Sequence, residues 1–503
     1  MLDWKAVAGI LGALVGALGV SLLAPAGVAL AYGEGSWWAF GATAAGAVAV
    51  GAALWGALRP AAEIRVREGF AVVALAWIVL SLVGALPWVL AGLLGYTDAV
   101  FETMSGLTTT GATVLGGAGT PAIEAVPNGF LLWRSLTHWL GGMGVVVLAI
   151  AVLPMLGVGG MQLFRAEVPG PSADKLTPRV AETAKRLWAI YVGLTLAQVA
   201  LLLPAMSPFD AVNHAFATLA TGGFSTENGS VGQYGSAYVD GVLTAFMLLA
   251  GANFALHYRL LHRDVRGVWR SEELRVYLAI AAGATALLTL ALWEPAAALL
   301  PGEADAEGGA GEPLRYGSLA EAFRYGAFQA ASILTTTGFG TADYELWPPL
   351  ATAVVFGLFF VGGMAGSTAG GVKVLRVLLI LKNAFRETRQ LVHPQAVLPV
   401  RLDHRVVPEN VLRNVLGFIV LYVGLIGVGT LAMAFLGLDL LSAFSATFSS
   451  VGNVGPAFGT LGPSETYAPL PAAGKWVLAL LMMAGRLEIF TVLLLFTPGF
   501  WRR

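Results

Sequence analysis

A succession of apolar runs most constrains this chain, each about the roughly 20 residues a helix needs to cross a bilayer. By that criterion about ten runs can be marked, near 6–31, 37–58, 69–94, 129–156, 184–205, 237–262, 275–299, 346–381, 410–436 and 473–497. Charge is scarce enough to leave them intact: 12% of residues are Asp, Glu, Lys or Arg, against roughly 25% in soluble domains. With no water in the hydrocarbon layer, such a segment satisfies its backbone as a helix. The expected class is an all-α integral membrane protein. The first run, Ala6–Ala31, is long for a signal-peptide core and reads as a retained helix. The chain has no cysteine, which excludes disulfides and thiolate metal sites. A net charge of −1 offers no bulk attraction to nucleic acid.

Charge placement sets the expected topology. Basic residues gather in Arg59–Arg67, Arg165–Arg186, Arg259–Arg275 and Lys373–Arg413, with Arg502 and Arg503 at the end. The intervening loops are acidic or neutral, carrying Asp98, Glu102 and Glu124, then Asp210, Glu227 and Asp240, then Glu303, Asp305, Glu307 and Glu312, then Asp439 and Glu465. The positive-inside rule makes the basic loops cytoplasmic and puts both termini inside.

Each outward loop from the second onward holds a short apolar segment that ends in a small, glycine-containing tetrad. The four are Thr108-Thr109-Thr110-Gly111, Leu219-Ala220-Thr221-Gly222, Thr335-Thr336-Thr337-Gly338 and Ser449-Ser450-Val451-Gly452. Their glycines are 111, 116 and 114 residues apart (222 minus 111, 338 minus 222, 452 minus 338). A near-constant period marks internal duplication. The expected units are a two-helix extension over 1–62 and four repeats over 63–160, 161–272, 273–395 and 396–503, each a helix, a short helix, a loop and a helix. Four loops that meet on one axis can turn carbonyls toward a dehydrated cation. The short helices add the negative ends of their dipoles. Asp98, Asp210, Glu321 and Asp439 stand near the starts of these helices, as caps or as attractors of cations.

The second long helix of each repeat also carries small residues: Gly141–Gly144, Ala250–Ala252, Gly362–Gly366 and Ala484–Arg486. Close helix packing is one reading of these. The third set differs. Residues 362–371 hold Gly362, Gly363, Gly366, Gly370 and Gly371 with Ser367 and Thr368, and Lys373 follows. Each helical glycine costs on the order of 1 kcal/mol, so the spacing predicts a break, bordering a water-filled cavity. Arg486 is a charge deep in an apolar run and should face a cavity or a partner. Glu488 projects from a different side of the helix and is a poor direct partner. Two readings stay open, an ion pair with an acid on another helix and a positive charge that limits cation passage. Arg134, His138, Asn253 and His257 read as packing or hydrogen-bonding residues. Gly157-Val158-Gly159-Gly160 ends a membrane helix with no strand pattern before it, so it reads as a linker and not as a phosphate-binding loop.

These loops resemble the four filter loops of the Trk/Ktr/HKT potassium transporter superfamily. Further motifs agree: His138–Gly144, Gly251–Tyr258, Gly366–Arg376 and Gly485–Val492. The extra helix pair before the first repeat matches the bacterial TrkH/TrkG branch. The resemblance covers essentially the whole chain. It implies a potassium-selective, channel-like pore of four pseudo-symmetric repeats, usually homodimeric, in the bacterial inner membrane. By motif the potassium sites fall on Thr109, Thr110, Gly111, Ala220, Thr221, Gly222, Thr336, Thr337, Gly338, Ser450, Val451 and Gly452. The implied gate is the segment Gly362–Gly371 with Lys373, and Arg486 sits below the filter. Potassium is then the transported ion, with no organic cofactor in this chain. A cytosolic TrkA-like subunit that binds NAD(H) or adenine nucleotides is the implied regulator. Basic loops could dock it or attract anionic lipid. The second and fourth tetrads lack a full set of hydroxyls, and the loops lack the glycine-tyrosine-glycine run of tetrameric potassium channels; with one shared glycine per loop, fewer well-formed ion sites and weaker discrimination against sodium are expected.

Two other function classes remain. A secondary transporter coupling potassium to sodium or protons also has repeats and broken helices. Those folds usually use two larger repeats, not four short segments on one side. A membrane enzyme would need a spaced ligand set or nucleophile motif inside the helices, and none is legible.

Overall fold

The computed structural model describes residues 2–58, 66–151, 176–299 and 313–501. The glycine run 157–160, expected to be a linker, lies outside them. So do Arg59, Arg65, Arg165, Lys175, Arg502 and Arg503, and the acids at 303–312. Among the described residues, six helices are long and apolar enough to cross a membrane: Trp4–Ala31, Trp37–Ala57, Arg67–Leu90, Glu182–Leu202, Glu272–Leu292 and Glu409–Phe435. A further pair, Ala237–Ala250 with Phe254–Leu261, reaches that length and apolarity together and is bent by 100° at its break, as in a broken span or a re-entrant loop. Asn128–Ala151 is a further helix of 24 residues. Outward faces of these helices carry apolar residues such as Leu196, Val420 and Phe435, the surface expected against lipid.

Besides this bent pair, two of the apolar runs are not continuous helices. The run 346–381 stops at Leu358 and resumes at Val374, as its glycines predict. The run 473–497 is also broken, between Arg486 and Phe490. Close helix packing of the small residues does not account for this break, nor for the bend at Gly251–Asn253. One departure from an all-α chain is a two-residue antiparallel hairpin, Arg401–Leu402 with Arg405–Val406.

The first two helices pack at very short range through glycine. A Cβ on Gly51 would lie 2.6 Å from Gly12 O and 2.8 Å from Gly16 Cα, so only small residues allow this approach. Glu34, in the turn after that first span, accepts from Asn128 N at 2.5 Å and Gly129 N at 3.1 Å. It thereby caps the start of Asn128–Ala151 and ties the N-terminal pair to the first repeat.

Four short helices occupy the interior: Tyr96–Leu107, Pro208–Leu219, Leu319–Leu334 and Leu440–Gly452. The first is buried at every position from Ala99 to Leu107. A helix apolar and small on all sides belongs inside a bundle. Two of their starts are capped by side chains. Asp439 accepts from Ser442 N at 3.1 Å, and Ser207 from Asp210 N at 3.1 Å. Asp98 instead pairs with Lys475 at 2.5 Å.

Candidate functional site

Each short helix ends in the same turn. Thr109, Thr221, Thr336 and Asn453 take left-handed backbone, with φ of 53°, 55°, 55° and 53°. The next amide in each case reaches back five residues: Thr110 N to Ser105 O, Gly222 N to Ala217 O, Thr337 N to Ser332 O and Val454 N to Ser449 O, at 2.8–3.0 Å. This is the closing bond of a Schellman turn. One residue further on, Gly111, Gly223, Gly338 and Gly455 have φ of 83°, 77°, 80° and 104°.

The glycines also define how the loops meet. A Cβ on Gly111 would lie 2.1 Å from Gly222 O, and one on Gly223 would lie 2.0 Å from Thr337 O. One on Gly338 would lie 2.1 Å from Val454 O, and one on Gly455 2.6 Å from Thr110 O. Each glycine faces the carbonyl before the corresponding glycine of the next loop, and the fourth returns to the first. The four loops form a closed circuit with the carbonyls of Thr110, Gly222, Thr337 and Val454 in it. Glycine is required twice over, by positive φ and by contact with a neighbouring backbone.

The geometry shifts two of the four expected registers. In the second loop the positive-φ glycine is Gly223, and Gly222 precedes it. In the fourth, Ser450, Val451 and Gly452 are still helical, and the equivalent turn is Asn453-Val454-Gly455. Val451 O faces Gly485, whose Cβ would come within 1.9 Å, so it lies against a helix and not in the circuit. The equivalent glycines are 112, 115 and 117 residues apart (223 minus 111, 338 minus 223, 455 minus 338). A legible signal existed: threonine or asparagine two residues before a glycine recurs in all four loops, and asparagine tolerates left-handed backbone.

Hydroxyls brace the turns from within. Thr108 and Thr110 share a hydrogen bond of 2.8 Å, and Thr335 and Thr337 one of 2.7 Å. Thr221 Oγ1 donates to Ala220 O at 2.6 Å, and Asn453 Nδ2 to Thr110 Oγ1 at 3.0 Å. His138 lies behind the second loop, bonded through Nδ1 to Gly106 O at 2.8 Å and accepting from Phe224 N at 3.3 Å.

The segment from Phe359 to Lys373 runs without helix beneath these turns. Thr368 Oγ1 donates to Leu219 O at 2.9 Å, and Gly370 N to Thr336 Oγ1 at 2.6 Å. A Cβ on Gly370 would lie 2.3 Å from Gly452 O. The segment therefore touches the second, third and fourth repeats. Its open backbone is satisfied in part by the bend in the second repeat: Met364 N donates to Gly251 O at 2.8 Å, and Phe254 N to Gly366 O at 3.1 Å. Two interrupted helices complete each other's hydrogen bonds, as non-helical backbone at this depth requires. Asn253 Oδ1 caps the second half of the bend by accepting from Ala255 N at 2.8 Å. Gly362 N donates to Val372 O at 2.7 Å, closing the segment on itself. Lys373 Nζ turns back onto Ala369 O and Gly370 O. Ser367 Oγ donates to Met364 O at 2.7 Å.

Arg486 is 4% exposed, and its Nη1 donates to Thr368 O at 2.8 Å. The partner is thus a carbonyl of the broken segment, and among the described residues no acid on another helix takes that role. Glu488 pairs with Arg376. Nε and Nη2 of Arg486 have no hydrogen-bond partner among the described residues.

Comparison with known proteins shows the family and the overall fold. A family model described as TrkH, a cation transport protein, matches residues 39–502. The chain belongs to the TrkH family. It is 41% identical over 507 residues, all of both chains, to the Trk system potassium uptake protein TrkH of Salmonella typhimurium and, equally, to that of Escherichia coli K12. It is 36% identical to the Trk system potassium uptake protein TrkG of Escherichia coli K12, covering 98% of this chain and 97% of that one. Its fold matches the crystal structure of the potassium transporter TrkH from Vibrio parahaemolyticus with a TM-score of 0.87 and 37% identity, covering 99% of this chain and 100% of that one. The named relatives of this TrkH-family chain are transporters, not enzymes.

Proposed function

We propose that this chain carries potassium into the cell through a pore whose selectivity filter is the circuit of four loop carbonyls. One observation carries the reading: four left-handed turns of the same form, each locked against the next and the last against the first. Such a ring holds carbonyls in place without side chains, and fixed carbonyls can replace the water of a cation. The four short helices lend negative dipole ends to the same place. The relatives' role in potassium uptake supports the choice of ion. The pore is built from the repeats at 63–160, 161–272, 273–395 and 396–503, with 1–62 outside it.

The segment Gly362–Gly371, Lys373 and Arg486 form the gate on this reading. The segment lies directly beneath the turns, and Arg486 holds it through Thr368 O. A cytosolic nucleotide-binding subunit of the TrkA kind acts on the gate, and the chain works as a homodimer in a bacterial inner membrane with both termini inside. Rubidium uptake into liposomes holding the purified protein tests the filter. Potassium is expected to block uptake far better than sodium. Equal block by both ions would reduce the reading to a general cation pore, and dependence on a sodium or proton gradient would favour coupled transport.

A further inference from the structure

A charged cluster lies behind the first two loops and outside the carbonyl circuit. Glu102, on the first short helix, and Arg134, on Asn128–Ala151, pair at 2.8 Å with side chains 1% and 2% exposed. Arg134 Nη1 also donates to Ser225 O at 2.9 Å, and Nη2 to Thr113 Oγ1 at 3.3 Å. Its guanidinium lies 4.1 Å from the centre of the Phe224 ring. Glu102 accepts from Thr113 Oγ1 at 2.9 Å and from Val114 N at 3.0 Å. Thr113 follows Gly111 by two residues, and Ser225 follows Gly223 by two. The pair therefore grips both loops at one level, immediately beyond the circuit.

The other repeats have no such grip among the described residues. Aligned through the bonds that close the turns, Glu102 corresponds to His214, Gln329 and Ala446. His214 meets Ser225 Oγ at 3.1 Å. The third and fourth loops are joined by Tyr344 OH to Ala457 O at 2.6 Å and by Gly459 N to the Glu345 carboxylate at 2.7 Å, where the acid meets a backbone amide and not a guanidinium. One junction of a fourfold ring is thus fixed by a buried ion pair. Stability alone is a poor reason for one, because well-packed apolar residues often do as well. A planar guanidinium does offer what packing cannot, several directed bonds from one rigid fork.

We propose that the Arg134–Glu102 pair is a positioning brace that sets the separation of the first two loops, and with it the discrimination between potassium and sodium. The proposal rests on the carbonyl-circuit reading of the filter. Neither side chain touches the ion; they act through Thr113, Val114 and Ser225.

The test is rubidium uptake into liposomes, read as the ratio of the sodium and potassium concentrations that halve it. The set is the unaltered protein, Glu102→Gln and Arg134→Lys. Glu102→Gln removes the charge and keeps the shape; Arg134→Lys keeps the charge and loses the fork. Each is expected to lower the ratio about tenfold, the scale of one charge-assisted hydrogen bond. An unaltered protein with no preference would overturn the filter reading and the brace with it. A selective unaltered protein beside equally selective variants would overturn the brace alone. A lower melting temperature with an unchanged ratio would mean structural support only, which also overturns it. Should these variants not fold, Thr113→Val removes the shared hydroxyl at constant shape, and an unchanged ratio there has the same meaning.

Discussion

Gly452 and Gly455 stand three residues apart and separate two registers of the fourth loop. Gly455 has φ of 104°, and a Cβ there would lie 2.6 Å from Thr110 O. A side chain in the left-handed region costs roughly 1–2 kcal/mol. Ordinary contact begins at 3.4 Å, so the first or fourth loop must give by 0.8 Å (3.4 minus 2.6). Both partners are backbone in the circuit, so the movement falls on the carbonyls themselves. Gly452 is different. It ends a helix, and its Cβ would find Val454 Cγ2 at 3.2 Å and Tyr422 OH at 3.5 Å. A helical glycine replaced by alanine gains up to about 1 kcal/mol, which offsets the closer contact. Gly455→Ala is therefore expected to lower the preference for potassium over sodium at least tenfold, about 1.4 kcal/mol, and Gly452→Ala to change it less than about threefold. The assay is competition of rubidium uptake at matched protein per liposome. Loss of preference in Gly452→Ala with retention in Gly455→Ala would refute the register and the ring with it.

The geometry sets three further outcomes. Arg486→Gln removes the charged tether to Thr368 O, and ion leak through liposomes lacking any regulator is expected to rise severalfold; unchanged leak would separate Arg486 from the gate. Glu273 accepts from Ala365 N at 2.7 Å while only 8% exposed, so Glu273→Ala strands a buried amide at a cost of about 1–3 kcal/mol. Faster hydrogen exchange over residues 362–371 is the expected reading, and unaltered protection would exclude this anchor. Asp439 caps the fourth short helix, and its hydrogen bonds from Ser442 hold its carboxyl below the usual carboxylate range. A lowered folded-state value means stability that is present above the ordinary Asp pKa and lost as pH falls through the lowered one. Melting temperatures of Asp439→Asn between pH 3 and 7 should fall less on acidification than those of the unaltered protein.

Much of this molecule is legible in its sequence because its two governing patterns are local. Apolar length announces the spans, and a polar tetrad after a short helix announces the loops. The register of those tetrads is less accessible. Gly222 and Gly452 attract attention as the first glycine after the polar residues. The backbone instead requires a left-handed residue with a glycine two positions later, which Asn453 and Gly455 supply. The bend at Gly251–Asn253 is hidden for another reason. A helix breaks inside a membrane only where something pairs the released groups, and here the partners are Met364 and Gly366, more than a hundred residues away in sequence. The carbonyl partner of Arg486 is equally distant, since Thr368 is in the preceding repeat.

The contact that closes the loop circuit, Gly455 against Thr110, joins residues 345 apart (455 minus 110). During synthesis the first three loops leave the ribosome long before their final neighbour exists. Until the fourth repeat enters the membrane, Thr110 O and Gly338 each lack a neighbour, and the first loop is open on one side. A contact this distant in sequence bears the largest loop-closure entropy in the circuit, so it is the natural last step of folding. The ring of loops in this fold then closes all at once with the last repeat, and a chain halted earlier would leave the first loop's carbonyl without its neighbour.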